Sequence, residues 1–252
     1  MGEDQGPSRR RRRVIHVRLP VPVRDFARAA AFRRRWGFPP PPGWSDWVGY
    51  ESLLEEIERH ALHRVEGDVL EIGALLGGGT AKLCGWFFRK APSKRVIAVD
   101  VFDPSFDPTV TISGWTMPEL YADMIGGRDQ RAVFDSVTGK CSNLVVVQGD
   151  STKVQLPTDR LAFAFVDGSH VPDHVHTDFE TVWSRLSPRG IAAFHDYGGD
   201  LPGVTHTLHA CIGAHASEIA RAWTRPPMLL LVQREENASI PKGPRGEVHP
   251  AN

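Results

Sequence analysis

Cysteine is scarce in this chain, and neither sign of charge is in excess. Only Cys84, Cys141 and Cys211 occur among 252 residues. They lie far apart, in no CxxC or CxxH pattern. That argues against a disulfide framework or a zinc site and for buried thiols in a reducing compartment. Lys and Arg total 30, as do Asp and Glu. A wholly basic, nucleic-acid-coating surface is excluded, as is a globally acidic chain. Long apolar runs are missing too: no stretch reaches the roughly 18 residues of a membrane-spanning helix. Ser8-Arg9-Arg10 has the look of a twin-arginine export signal. Arg18, Pro20, Pro22, Arg24 and Asp25 interrupt the segment after it, so no apolar signal core forms. The expected location is the cytoplasm, with no membrane contact.

The residues present suffice for one sizeable core: 41% are hydrophobic and 24% charged. The neutral balance is uneven along the chain. Residues 1–36 hold eleven arginines against three acids, which leaves the remainder net acidic. Residues 1–13 read as a disordered basic arm, 14–64 as a helical extension, 65–236 as the main domain and 237–252 as a polar tail. Within the extension, the pattern predicts a short basic helix over 25–36. A second runs from an N-cap at Ser45 to about His63.

From residue 68 onward short apolar runs alternate with helical stretches. The runs fall at 68–73, 95–100, 144–149, 161–167 and 190–196. Nearly free of charge, they read as strands of a parallel sheet covered on both faces. Helices are predicted over 80–90, 118–137, 172–187 and 203–213. The fold class is α/β, a doubly wound Rossmann-like sheet. Two last strands around Arg225-Pro226-Pro227 have no helix between them and so pair antiparallel. The long connection over 101–117, with Phe102, Phe106 and Trp115, has the length of a binding loop or lid.

The first strand ends in Glu71-Ile72-Gly73 and leads through Gly77-Gly78-Gly79-Thr80 into a helix. Glycines at such a turn let a ligand approach the backbone and present free N–H groups. A nicotinamide fingerprint would need a small residue where Lys82 stands. The pattern is instead E-x-G-x-x-x-G-x-G. An acid before the first glycine would repel a pyrophosphate and suits a ligand with an ammonium group. Asp100, at the end of the second strand, can bind both ribose hydroxyls. Asp150-Ser151, after the third strand, can accept from an adenine amino group. Together these features favour S-adenosylmethionine over NAD.

Over about residues 65–235 the sequence resembles the class I S-adenosylmethionine-dependent methyltransferases, whose sheet also closes with a reversed seventh strand. The resemblance implies cofactor roles for Glu71, Gly73, Gly77, Gly79, Thr80, Asp100, Asp150, Ser151 and Asp167. A second set of motifs sharpens it: Asp167-Gly168-Ser169-His170, then Asp178, Trp183, Pro188-Arg189-Gly190 and His195-Asp196-Tyr197. These resemble the macrolide- and aminocoumarin-sugar O-methyltransferases and the cephalosporin-hydroxylase-like proteins. Pro172 replaces an aromatic residue common in that subfamily, and Arg189 replaces a turn glycine.

Asp167 and Asp196 end neighbouring strands, so both project into the crevice where α/β sheets bind ligands. Two carboxylates suit Mg²⁺ as an optional second cofactor, with His195 beside them as a third candidate ligand. His195 stands where metal-dependent relatives carry an acid. Asp200 is a further oxygen donor of unplaced role. His170 is the candidate general base, because imidazole titrates near neutrality. His174, His176, His206, His209 and His215 have weaker individual claims.

The expected activity is methyl transfer from S-adenosylmethionine to a hydroxyl of a small molecule, a sugar or natural product; N-methylation stays open. Two alternatives are an NAD(P)-dependent oxidoreductase and a non-catalytic binding subunit of the same fold. Arg9 to Arg13 raise RNA as a partner, but no RNA-binding module accompanies them and the core is net acidic. A small-molecule acceptor is the expected partner. The N-terminal helices are placed to cover the site or to make a homodimer or higher homo-oligomer.

Overall fold

Runs of β-branched and aromatic residues bounded by turns become strands here, because both sheet faces are buried under helices. The structure, a computed structural model, describes residues 21–46 and 48–238. The basic arm and most of the polar tail lie outside the described residues. The chain divides into two compact units, Met1–Pro39 and Pro40–Asn252.

The first unit contributes α1 (Val21–Trp36), longer than the predicted basic helix. Arg33, Arg34 and Arg35 occupy its last turn, where cations oppose the helix dipole. The Phe32 ring meets Phe38 edge-on at 5.2 Å.

In the second unit the elements run as α2 (Glu51–Arg59), β1 (Asp68–Ile72), α3 (Gly78–Lys90), β2 (Val96–Asp100), α4 (Met117–Ile125) and α5 (Gln130–Thr138). Then come β3 (Leu144–Gln148), β4 (Leu161–Val166), α6 (Pro172–Trp183), β5 (Leu186–Phe194), α7 (Pro202–Ala214), β6 (Ile219–Arg225) and β7 (Leu229–Arg234). The sheet has seven strands in the order β3-β2-β1-β4-β5-β7-β6. β1 to β5 are parallel; β7 pairs antiparallel with both β5 and β6. The expected fold class and reversed terminal hairpin are therefore those observed. Strand order reverses between β1 and β4, which opens a crevice at their carboxyl ends.

Several boundaries differ from expectation, three of them for a plain local reason. The second helix starts at Glu51, not Ser45. Ser45 closes a short 3₁₀ turn instead, its hydroxyl donating to the Pro42 carbonyl at 2.6 Å. The span 118–137 is two helices, because Gly126 and Gly127 both take left-handed φ, +62° and +71°. Asp129 caps the second, accepting from the Ala132 N–H at 2.8 Å. The predicted helix over 172–187 stops at Trp183, and Leu186 already belongs to β5.

Candidate active site

β1 ends one residue before Gly73, whose φ of +83° turns the chain under the crevice. A Cβ there would lie 2.0 Å from the Asp167 carbonyl oxygen, so only glycine lets β1 and β4 close side by side at their ends. Gly79 has a comparable constraint: a Cβ would fall 1.9 Å from the Tyr50 ring. Tyr50 thus lies on the first turn of α3, and its hydroxyl donates to Glu71 Oε1 at 2.7 Å. Thr80 donates to Glu71 Oε2. Lys82, beyond the loop, pairs with Asp46 and, at 2.8 Å, with Glu51.

These contacts correct two expectations. Glu71 and Thr80 are fully buried and face each other, not the crevice. Burial pushes the Glu71 carboxyl up to about 7, against the hydrogen bonds from Thr80 and Tyr50. Glu71 anchors Tyr50 and α3, and both its oxygens are taken by the Tyr50 and Thr80 hydroxyls. Asp150 is likewise turned away. It accepts from the Thr152 N–H and hydroxyl at 3.0 and 2.7 Å and pairs with Lys153 at 2.7 Å. Its neighbour Ser151 does line the crevice. Gly77, φ +81°, packs on Phe134 and shapes the turn from outside the lining.

Asp100 stands where expected, in the wall of the crevice. Its Oδ2 accepts from the Ala74 and Leu75 N–H groups at 2.8 and 2.9 Å, and its Oδ1 from Phe102 at 2.6 Å. The carboxylate therefore holds the glycine loop in shape while it borders the cavity.

That cavity has a volume of about 470 Å³, within the roughly 300–1,000 Å³ of small-molecule sites. Gly73, Ala74, Leu75, Gly79, Asp100 and Ser151 border one end. Met117, Leu120, Tyr121, Met124 and Leu201 form an apolar wall. Phe106, Asp107 and Trp115 come from the 101–117 connection, which is tied down where the Ile112 N–H donates to the Asp200 carbonyl at 3.0 Å. Asp200 also accepts from the Ser113 N–H at 3.2 Å, so it fastens this loop.

At the other end five ionisable groups alternate in sign. His170 is buried between two acids: Nδ1 lies 2.7 Å from Asp107 Oδ2 and Nε2 lies 2.8 Å from Asp196 Oδ2. His195 Nδ1 lies 3.1 Å from the same Asp196 oxygen and 3.2 Å from Asp167 Oδ1. Burial by itself would lower both histidines. Hydrogen bonds donated to Asp107 and Asp196 overcome this at His170 and raise it to about 10. At His195 the Asp167 charge and both acids raise it to about 11. The acids shift oppositely: despite burial, His170 pulls Asp107 down to about 2. His170 and His195 hold Asp196 far below the usual carboxylate range. Asp196 also sits at φ +58°, a left-handed conformation that aspartate tolerates better than most residues.

In this arrangement both ring nitrogens of His170, the expected general base, face carboxylates. An imidazolium with both nitrogens committed to carboxylates has no lone pair for a hydroxyl proton near neutrality. Three carboxylates against two imidazoliums leave one carboxylate in surplus. Asp167, whose Oδ1 lies against His195, lines the cavity.

Asp107 and Tyr50 had no sequence motif to announce them as site residues, whereas Trp115 belongs to the connection read as a binding loop or lid. Asp107 comes after Phe106 in an irregular loop, and its partner is 63 residues away.

Residues 70–197 match the family model described as a methyltransferase domain. The chain belongs to the methyltransferase-domain family. It is an enzyme of the class I fold, and S-adenosylmethionine is the methyl donor that this family implies. The fold is similar to that of the O-methyltransferase NovP, at 15% identity over 73% of this chain and 78% of that one, TM-score 0.58. It is also similar to CalS11, a TDP-rhamnose 3'-O-methyltransferase of calicheamicin biosynthesis, at 15% identity over 86% and 96%, TM-score 0.51. No curated protein sequence matches the chain. Membership of the family displaces the oxidoreductase and non-catalytic alternatives. Among the described residues no helix is long and apolar enough to cross a membrane.

Proposed function

We propose that this methyltransferase methylates a hydroxyl group of a small molecule, of the sugar or natural-product class. The observation that carries the reading is the surplus carboxylate of the acid–imidazole chain, set in the lining of an apolar-walled cavity. S-adenosylmethionine, when bound, supplies a sulfonium methyl that passes to the acceptor oxygen as its carbon–sulfur bond breaks.

In this reading Gly73, Gly79, Asp100 and Ser151 border the donor's place. Asp167 accepts the hydroxyl proton. His195 neutralises Asp167 and Asp196 on their inner side, and His170, clamped by Asp107, holds Asp196 in register. Met117, Tyr121 and Leu201 keep water from the reacting oxygen. Alignment of oxygen, carbon and sulfur is the larger share of the catalysis, since proximity and orientation can supply roughly 7–11 kcal/mol at best. The aromatic faces of Trp115 and Tyr121 and the cavity's modest size support a compact acceptor over a polynucleotide.

Mg²⁺ does not fit this donor set. Asp167, His170 and Asp196 do bring ligand atoms within 4.8 Å of one another. Yet imidazole, not oxygen, makes up much of the surroundings, and Mg²⁺ demands a shell of oxygens. The carboxylates expected to ligate the ion, Asp167 and Asp196, lie against imidazole nitrogens, and His195, the third expected ligand, directs its Nδ1 at both of them.

Calorimetric titration with S-adenosylhomocysteine, with Mg²⁺ and then with EDTA, tests the donor site; equal binding in both buffers is expected. Transfer of a labelled methyl group to a panel of glycosides and other hydroxylated compounds tests the acceptor class. Asp167→Asn is expected to cut kcat by at least about 10²-fold. Product found only with amine acceptors would overturn the hydroxyl assignment.

A further inference from the structure

α6 and α7 pack side by side and run the same way. Near their starts, Pro172 Cγ lies 3.4 Å from where a Cβ on Gly203 would be. Near their ends, His215 Nε2 lies 2.9 and 3.2 Å from the two Glu180 oxygens. His176 and Glu180 are four residues apart on α6, so they share one helix face. Cys211 and His215 repeat that spacing at the end of α7. The packing of the two faces brings the ligand atoms of His176, Glu180 and Cys211 all within 4.8 Å of one another. His176 is exposed, Glu180 half-buried and Cys211 buried. The cluster therefore has a thiol floor and an opening to solvent. None of these side chains belongs to the cavity described above.

We propose that His176, Glu180 and Cys211 form a second site, one for a divalent cation of the zinc class, with His215 hydrogen-bonding the Glu180 carboxylate from outside. The donor chemistry selects the ion. A thiolate, an imidazole and a carboxylate are the usual ligands of zinc, whereas Mg²⁺ and Ca²⁺ take oxygen. Three protein ligands leave the fourth tetrahedral position to water on the His176 side. An outer hydrogen bond to a ligating carboxylate fixes its orientation, and His215 is placed to make it. His215 is itself fixed by ring contacts of 5.7 Å with both Phe179 and Trp183. On binding, the Cys211 thiol loses its proton to solvent and the sulfur bonds the cation. The lack of a CxxC or CxxH pattern does not exclude such a site, because its ligands come in pairs on two separate helices. The site braces two helices that leave opposite halves of the catalytic cluster: α6 comes directly after His170, and α7 after Asp196 to Asp200.

The test uses the full chain and Co²⁺ alone as a spectroscopic probe, with Zn²⁺ added in thermal melts. Wild type is expected to show a sulfur-to-cobalt charge-transfer band that saturates at one equivalent, and a Tm raised by Zn²⁺. The catalytic cluster holds no cysteine and cannot produce that band. The Cys84→Ser/Cys141→Ser double variant should keep it and Cys211→Ser should lose it. His176→Ala changes an exposed side chain and leaves the core intact. It should weaken Co²⁺ binding by at least about tenfold, which keeps the test decisive if Cys211→Ser fails to fold. Absence of the band in wild type, its loss only in the Cys84/Cys141 variant, or equal affinity in His176→Ala would each overturn the proposal and leave Glu180–His215 a plain ion pair.

Discussion

The position of each proton in this site is set by which carboxylates surround it. His170 carries its charge because Asp107 and Asp196 hold both ring nitrogens, at 2.7 and 2.8 Å. Asp107→Asn removes one of those carboxylates. The His170 pKa is expected to fall from about 10, as read by NMR titration of its ring. An unmoved value would mean that Asp107 does not act on His170. Glu71 is the opposite case, a buried acid raised to about 7 chiefly by burial. A carboxyl raised on folding contributes stability that is full below its unfolded value of about 4.3 and is lost as pH rises through 7. Glu71→Gln keeps a polar partner for Tyr50 and Thr80 without the charge. Its urea midpoint should be flatter than wild type between pH 5 and 8, and an unchanged slope would sink this account.

At the scale of elements, the helices hold the strand ends still. Phe179 of α6 is fully buried, stacked at 5.6 Å on Trp183 and at 5.3 Å on Phe194. Phe179→Ala leaves a cavity between α6 and β5 and should cost about 3–5 kcal/mol in denaturant unfolding. A loss under about 1 kcal/mol would show that the layer repacks. The element boundaries also show what was legible beforehand. Strands β1 to β4 fall within a residue or two of their predicted spans, because an apolar run between turn residues is a local signal. The start of α2 was not legible. Ser45 is a good capping residue by type, but its hydroxyl goes to Pro42, and Tyr50, which opens the helix, is held by its hydroxyl on Glu71 and its ring on Gly79. The end of α6 was hidden for a related reason, since Leu186 is drawn into β5 by pairing with Leu161 of β4.

For the whole molecule, the acid–imidazole chain implies a pH window. His170 and His195 are raised to about 10 and 11, so their contribution to stability is full below an unfolded value near 6.5 and is lost as pH rises through 10 to 11. Asp107 is lowered to about 2, so its contribution is present above about 3.9 and is lost as pH falls through 2. Urea midpoints should therefore decline on the alkaline side from pH 7 to 10. That decline should be shallower in His170→Gln; an identical decline would show that the network is not its source. The basic arm, residues 1–13, lies outside the described residues, and no role in the chemistry is given to it. Deleting it should leave turnover unchanged, and a large loss would return RNA to consideration as a partner.

By itself the amino-acid sequence determined the doubly wound sheet, its reversed last strands, the glycine turn and the aspartates at strand ends. Each is written in short-range patterns of polarity, or in residue types at fixed offsets from a strand. Only the tertiary structure decided what those residues do. Glu71 became an anchor because Tyr50 reached it across 21 residues. His170 became clamped between two acids because Asp107 reached it across 63. The His176–Glu180 and Cys211–His215 pairs became one cluster because α6 and α7 pack in parallel. Protonation and ligation depend on charges a few ångströms away in space, and the order of residues along a chain does not encode that distance.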